Sequence, residues 1–331
     1  MKSEALPAIP AAFVVTLLAI ELIRRSSLAR RLVDRPNERS LHQRPTPRIG
    51  GLGLLAGALA AIVLFGESTG VSLAAVALAL AAVSAADDAE SLPVATRLGA
   101  HLCAAMVAVA IIGPFAQLSL CGSVGAAFAA LLAITWMANL FNFMDGSDGL
   151  AGGMAAIGFS ALALAAHRGG AQAMVTMCAA IAAANLAFLV FNFPPAKVFM
   201  GDAGSVPLGF LAGILGWQGT VEGAWPAWFP VLVFSPFIVD ATVTLARRFA
   251  AGEPVWKAHR SHYYQRLVLG GWSHRRLALA QWMLMAAVAA SAIVAREETG
   301  MLQRAILLGW VLAYGVMAIV IDKRYPRKTT S

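Results

Sequence analysis

The chain has 331 residues, of which 59% are hydrophobic and only 13% charged, with a mean hydropathy of +0.73; a soluble domain carries about 25% charged residues. That composition excludes a fold built for water. The net charge of +8 would suit nucleic acid, but in so apolar a chain basic residues anchor loops at a membrane face, so no nucleic-acid partner is expected. Cys103, Cys121 and Cys178 lie in or beside apolar segments without metal-ligand spacing and read as small packing residues.

A hydrocarbon core of roughly 30 Å takes about 20 apolar residues per helix. Apolar runs between charged or Gly/Pro-rich breaks predict eleven helices, at 7–23, 50–66, 70–86, 98–113, 122–143, 150–167, 171–192, 204–220, 225–246, 276–295 and 302–321. The expected fold is a single all-α polytopic membrane bundle over 1–331. Its first stretch ends in Ile23-Arg24-Arg25 without a small-residue cleavage site, so it reads as a retained span. An odd number of spans separates the termini. With the N-terminus outside, every Lys and Arg except Lys2, Arg168, Arg296 and Arg304 falls on the inner side, which predicts an N-out, C-in topology. The inner loops are then 24–49, 87–97, 144–149, 193–203 and 247–275.

Nearly every chemically loaded motif falls in those loops. Asp34 to Gly51 follows the first helix, its prolines excluding regular helix. Taken alone the loop is a positive-inside anchor; Arg39, His42, Arg44 and Arg48 also suit anionic phosphates, which guanidinium groups bind through paired hydrogen bonds. Asp87 and Asp88 close the third helix, where the dipole disfavours negative charge, so something other than the helix must hold them. Asn139 and Asn142 share a helix face, and Asp145 and Asp148 follow in a Gly-punctuated break ending Gly149-Leu150-Ala151-Gly152-Gly153. Two amides and two carboxylates beside apolar helices are too costly for packing alone.

Asp202, in Phe199-Met200-Gly201-Asp202-Ala203-Gly204-Ser205, is a helix-capping residue, a hard-cation ligand, or both. Asp240, within the ninth run, follows a kink expected at Ser235-Pro236 and either pairs with a neighbouring helix or lines a cleft. In the longest inner loop, His259-Arg260-Ser261-His262 precedes Tyr263-Tyr264-Gln265-Arg266. No cysteine or acid accompanies the histidines as zinc ligands would, and Arg260, His262 and Arg266 suit a pyrophosphate better than a metal.

In this order the motifs resemble those of the polyprenyl-phosphate N-acetylhexosamine-1-phosphate transferases, the family that includes the phospho-N-acetylmuramoyl-pentapeptide translocase. The likeness spans residues 34–272. It implies a helical membrane domain with a cytoplasmic cleft in the inner membrane, commonly a homodimer, acting on a polyprenyl phosphate carrier and a UDP-N-acetylhexosamine. It further implies Mg²⁺, or Mn²⁺ in its place, on Asp202 with Asp145 and Asp148. Asp87 and Asp88 match the acidic pair near the carrier phosphate, Asn139, Asn142, Asp145 and Asp148 the polar cluster, and His259, Arg260 and His262 the loop facing the sugar diphosphate. The translocase carries a histidine triplet where this chain has His259-Arg260-Ser261-His262. That departure disfavours a muramoyl-pentapeptide substrate and resembles members that initiate O-antigen or other surface polysaccharides, with a deoxy N-acetylhexosamine as one expected sugar. The competing reading is an ion-coupled transporter, which the gathering of polar groups at one set of helix ends disfavours.

Overall fold

The computed structural model describes residues 5–36, 40–90, 92–113, 120–257 and 259–327. Helix α1 (Ala5–Arg25) and the short α2 (Ser27–Arg31) lead into β1 (Val33–Asp34), which pairs antiparallel with β2 (Thr46–Pro47). Then follow α3 (Gly50–Phe65), α4 (Ser68–Glu90), α5 (Val94–Ile112), α6 (Leu120–Met144), α7 (Leu150–Arg168), α8 (Gln172–Asn192) and α9 (Asp202–Val221). The chain ends with α10 (Trp228–Val233), α11 (Ser235–Ala250), α12 (Tyr263–Leu269), α13 (His274–Glu297) and α14 (Met301–Arg324).

The all-α membrane bundle is therefore observed. Eight helices, α1, α4 to α8, α13 and α14, are long and apolar enough to cross a membrane, and α3 is a shorter apolar helix. The expected helix at 225–246 is two, α10 and α11, broken at Phe234 just ahead of Ser235-Pro236. Proline lacks the N–H that would continue the ladder and is best tolerated in a first turn, which is where Pro236 sits in α11. The third helix also runs further than expected, to Glu90, so Asp87 and Asp88 lie inside its last turn.

Burial falls off from centre to edge. Helices α7, α8 and α9 are buried along most of their length by alanine, glycine and a few large side chains such as Phe159, Phe188 and Phe210. Small residues let helix backbones approach where lipid offers no hydrophobic drive to association. At the periphery α14 has no buried residue. The central helices thus form a rigid block, and the chemistry sits in the breaks at its ends: the end of α6, the start of α7, the turn between α8 and α9, and the start of α9.

Candidate active site

Backbone hydrogen bonds lace two distant motifs together. Arg48 N donates to Leu32 O at 2.7 Å and Phe199 N to Pro47 O at 2.8 Å, while Gly50 N and Gly51 N donate to Phe199 O and Met200 O at 2.8 and 2.9 Å. Glycine is demanded here by contact: a Cβ on Gly51 would stand 2.5 Å from Gly204 Cα, inside any real separation. Gly201 then turns the chain into α9 with φ of +73°, a conformation costly for any L side chain. Asp202 is the first residue of that helix.

The N-terminus of α9 meets the end of α4. The backbone N–H groups of Asp202 and Ala203 donate to the Asp88 carboxylate, as the free N–H groups of a helix start do for anions. The Arg48 guanidinium spans two carboxylates, with Nη1 3.2 Å from Asp88 Oδ1 and Nη2 2.8 Å from Asp34 Oδ1. Asp87 is held separately, by Arg97 Nη1 at 3.0 Å and by the Leu92 N–H at 2.7 Å. These partners supply what the helix dipole withholds from an acidic pair at a C-terminus.

Asn142, at the end of α6, donates its amide to Asp202. Asp148 Oδ2 accepts from Ala196 N at 2.9 Å, and Asn192 bridges Gly149 N (2.8 Å) and Val198 O (2.9 Å), tying the α6–α7 turn to the α8–α9 turn. Asp145 differs from its neighbours: its carboxylate forms no hydrogen bond or ion pair with the described residues. Burial, and then the nearby Asp202 carboxylate, push it well above the usual carboxylate range. Repelling carboxylates with one unpartnered member are the donor set a hard cation would relieve. No three His, Cys, Asp or Glu side chains among the described residues already converge on a metal position. Mg²⁺ needs only one or two carboxylates when substrate phosphates and water complete its shell, so the residues fit that ion.

Between these elements lies a cavity of about 250 Å³ whose wall includes Asp145, Asp148, Asp202, Arg48, His42 and Gln265. His42 packs edge-on to Phe199, centroids 4.9 Å apart, with Nε2 3.8 Å from Asp34 Oδ2. His274, at the start of α13, closes another part of the wall: its Nε2 pairs with Leu41 O at 3.2 Å and its Nδ1 with Ser147 Oγ at 2.7 Å. With the carbonyl able only to accept, Nε2 carries the proton and Nδ1 accepts from the hydroxyl.

The basic loop stands beside this wall. His259 and His262 rings lie 4.9 Å apart, and His262 stacks against Phe143 at 6.3 Å. Ser261 Oγ sits 3.0 Å from His259 Nδ1 and accepts from Arg248 Nη1 at 3.3 Å. Arg260 is exposed. Burial first, then the His262 and Arg248 charges, hold His259 down to about 3.

The structure thus gathers Asp88, Asn142, Asp145, Asp148, Asp202 and His42 around one cleft, with Asp87 adjacent and His259 and His262 at its side. Asn139 points elsewhere: its amide pairs with Thr135 O (2.7 Å) and His101 Nδ1 (3.1 Å), on the side of α6 facing α5. Sharing a helix face with Asn142 did not bring it to the cleft wall. Arg39 lies outside the described residues. Arg266 does not face a pyrophosphate: it is buried, with Nη1 2.8 Å from Asp322 Oδ1 and Nε 2.8 Å from Tyr325 O, and so clasps the end of α14. Of the two readings of Asp240, pairing with a neighbouring element is the one observed, through α12 and His262. Asp34, Ser147, Asn192, Gln265 and His274 went unselected in sequence. Asp34 and Ser147 lie inside motifs, but nothing in the pattern around His274 marks it.

Residues 70–219 match the family described as Glycosyl transferase family 4. The chain is 30% identical over 315 residues to a Bacillus subtilis protein named as a probable undecaprenyl-phosphate N-acetylglucosaminyl 1-phosphate transferase, covering 90% of this chain and 88% of that one. A decaprenyl-phosphate N-acetylglucosaminephosphotransferase of Mycobacterium tuberculosis is 29% identical, covering 93% and 87%. A phospho-N-acetylmuramoyl-pentapeptide-transferase of a Picosynechococcus species is 30% identical over a shorter match, 80% and 78%.

Proposed function

The chain belongs to glycosyl transferase family 4, among the polyprenyl-phosphate N-acetylhexosamine-1-phosphate transferases, and on that footing we propose that it transfers an N-acetylhexosamine 1-phosphate from a UDP-sugar to a polyprenyl phosphate. The observation that carries the reading is the meeting of Asp88, Asp145 and Asp202 with Arg48 where the ends of α4 and α6 reach the start of α9. A non-ester oxygen of the carrier phosphate attacks the sugar-bearing phosphorus; the bond from that phosphorus to the bridging oxygen breaks, and the bridging oxygen leaves with UMP. The product is a polyprenyl diphosphate-sugar. A phosphate monoester, with its second pKa near 6, is largely ionised at neutral pH, so the attack needs no obligatory general base.

An anion attacking an anion needs charge cancelled around both. Mg²⁺, or Mn²⁺, when bound would supply Lewis-acid neutralisation of the diphosphate; Asp202 would hold it with Asp145 and with the oxygen of Asp148 not engaged by Ala196. Asp87 and Asp88 would repel the carrier phosphate directly. Their role in this reading is to aim Arg97 and Arg48, whose guanidinium groups bind phosphate oxygens. His42, Arg260, His259 and His262 lie on the donor's side, with Arg39 kept as a substrate-binding residue for its guanidinium chemistry; Asn139, paired with Thr135 and His101, takes no part in this reading.

The same reading places the N-terminus outside, the C-terminus and cleft in the cytoplasm, and the protein in the inner membrane, because the basic residues cluster with the cleft loops. The relatives' names favour UDP-N-acetylglucosamine over a deoxy sugar as donor. Initiation of a surface polysaccharide such as O-antigen, and a homodimer, complete the reading. The test is UMP release by detergent-purified protein given undecaprenyl phosphate and a panel of UDP-N-acetylhexosamines, with and without EDTA. Carrier-dependent release that EDTA stops supports the assignment. Folded protein that releases no UMP with any donor overturns it.

A further inference from the structure

A buried carboxylate outside the motifs organises the basic loop. Asp240 on α11 is 7% exposed and none of its four partners is a lysine or arginine. Its Oδ1 accepts from Tyr263 N at 2.9 Å and from Thr244 Oγ1 at 3.3 Å, and its Oδ2 accepts from Tyr264 N at 3.0 Å. Oδ1 also stands 3.2 Å from His262 Nδ1. A carboxylate this buried is costly unless several donors converge on it. The donors are the first N–H groups of α12, one imidazole nitrogen and the Thr244 hydroxyl of Asp240's own helix, so one side chain fixes both the start of α12 and the orientation of His262.

The consequences reach the cleft by short steps. With Asp240 accepting, Nδ1 of His262 carries a proton, and Nε2, which has no partner among the described residues, is the nitrogen left for a ligand; it donates to a phosphate oxygen when the ring is the imidazolium. In the first turn of α12, Gln265 accepts from His262 N at 3.2 Å, and Gln265 is itself part of the cavity wall. Tyr264 donates to Phe143 O at 3.0 Å, and a Cβ added to Gly146 would fall 2.2 Å from the Tyr264 hydroxyl, so the tyrosine props the turn that carries Asp145. Any rotation of this first helical turn would move Gln265, His262 and the Asp145 turn together.

We propose that Asp240 is a positioning residue for the transfer: it holds Nδ1 of His262 and the first turn of α12 so that Nε2 of His262 and the Gln265 amide meet the donor diphosphate. This inference rests on the transferase reading. It assigns Asp240 no contact with substrate and no proton transfer.

The experiment is a double-mutant cycle read as kcat/KM for UMP release with the full-length protein, using Asp240→Asn, His262→Ala and the two combined. Asp240→Asn keeps the shape but replaces one acceptor oxygen by a donor facing other donors. A displaced first turn should lower kcat/KM by about a hundredfold, with the melting temperature of the detergent-solubilised protein close to wild type. The decisive reading is coupling: because Asp240 acts in part through His262, the combined variant should be slower than His262→Ala alone by much less than the factor Asp240→Asn costs the wild-type protein. Effects that multiply, or near-normal turnover of Asp240→Asn, overturn the proposal. If Asp240→Asn fails to fold, Asp240→Glu keeps the charge and extends the reach by one methylene, and the same cycle applies. A wild-type protein without UMP release would count against the transferase reading itself, before any variant is compared.

Discussion

In the acidic half of the cleft, backbone sets position: Pro47 of β2 and Gly50 and Gly51 at the start of α3 are hydrogen bonded to 199–200, Gly51 touches Gly204, and the first N–H groups of α9 seize Asp88. In the basic half, side chains do it: Asp240 gathers His262 and α12, while Arg248 and Ser261 hold His259. Backbone contact at van der Waals limits allows almost no adjustment, whereas side-chain hydrogen bonds permit small rotations without unfolding. The half that must bring like charges together is built rigidly. The half proposed to meet the donor is hung on side chains. In the proposed reading, charge cancellation and donor contact would therefore have separate physical seats.

Variants on the two sides should separate accordingly. Asp202→Ala carries the largest expected effect: losing the carboxylate at the start of α9 removes the proposed metal ligand, which on that reading is worth several kcal/mol of transition-state stabilisation, a loss of about a thousandfold or more in UMP release. The protein should remain in the membrane and melt normally, since Asp202 accepts one amide from Asn142 and braces nothing else among the described contacts. Turnover within a few-fold of wild type would remove Asp202 from the metal role. Gly51→Ala comes next. Its Cβ meets backbone, not a side chain that can swing away, so α3 and α9 must part. Overpacking of this kind costs about 1–3 kcal/mol, which should appear as a lower melting temperature together with slower transfer. An unchanged melting temperature would mean that the two helices are less tightly laced than their hydrogen bonds indicate.

The fold was legible because apolar runs announce helices: ten of the eleven expected runs each correspond to one observed helix, eight of them long and apolar enough to cross a membrane, and the eleventh run is two helices, broken at Ser235-Pro236. Proline in a first turn and proline in a kink look alike in sequence. The acidic half of the site was equally readable, since a carboxylate beside apolar helices is expensive and so conspicuous; Asp145, Asp148 and Asp202 line the cleft, and Asp88 pairs with the Arg48 of its wall. Basic residues were less informative, because a surface loop, a phosphate clamp and a structural clasp use the same side chains. Arg266 was taken for a ligand-binding group, and its burial against Asp322 and Tyr325 could be seen only with α14 in place. His274 lay beyond reach for the converse reason: its partners, Leu41 O and Ser147, are far away in sequence.

The smallest expected effect sharpens the basic side, through pH. His259 takes up a proton in the unfolded chain near 6.5 but is held to about 3 in the folded one, first by burial and then by the His262 and Arg248 charges. Between those values the unfolded chain binds more protons than the folded one, so the contribution of His259 to stability is complete above 6.5 and is lost as pH falls through the window. Melting temperature should therefore decline from pH 7 to pH 5 in the wild-type protein. His259→Gln, which cannot titrate yet keeps an acceptor for Ser261, should decline less steeply over the same range. Asp202→Ala, on the acidic side, should leave that difference in place, because the two halves share no hydrogen bond at His259. Identical slopes for wild type and His259→Gln would show that the loop admits the proton without loss, making the basic half softer than its contacts imply.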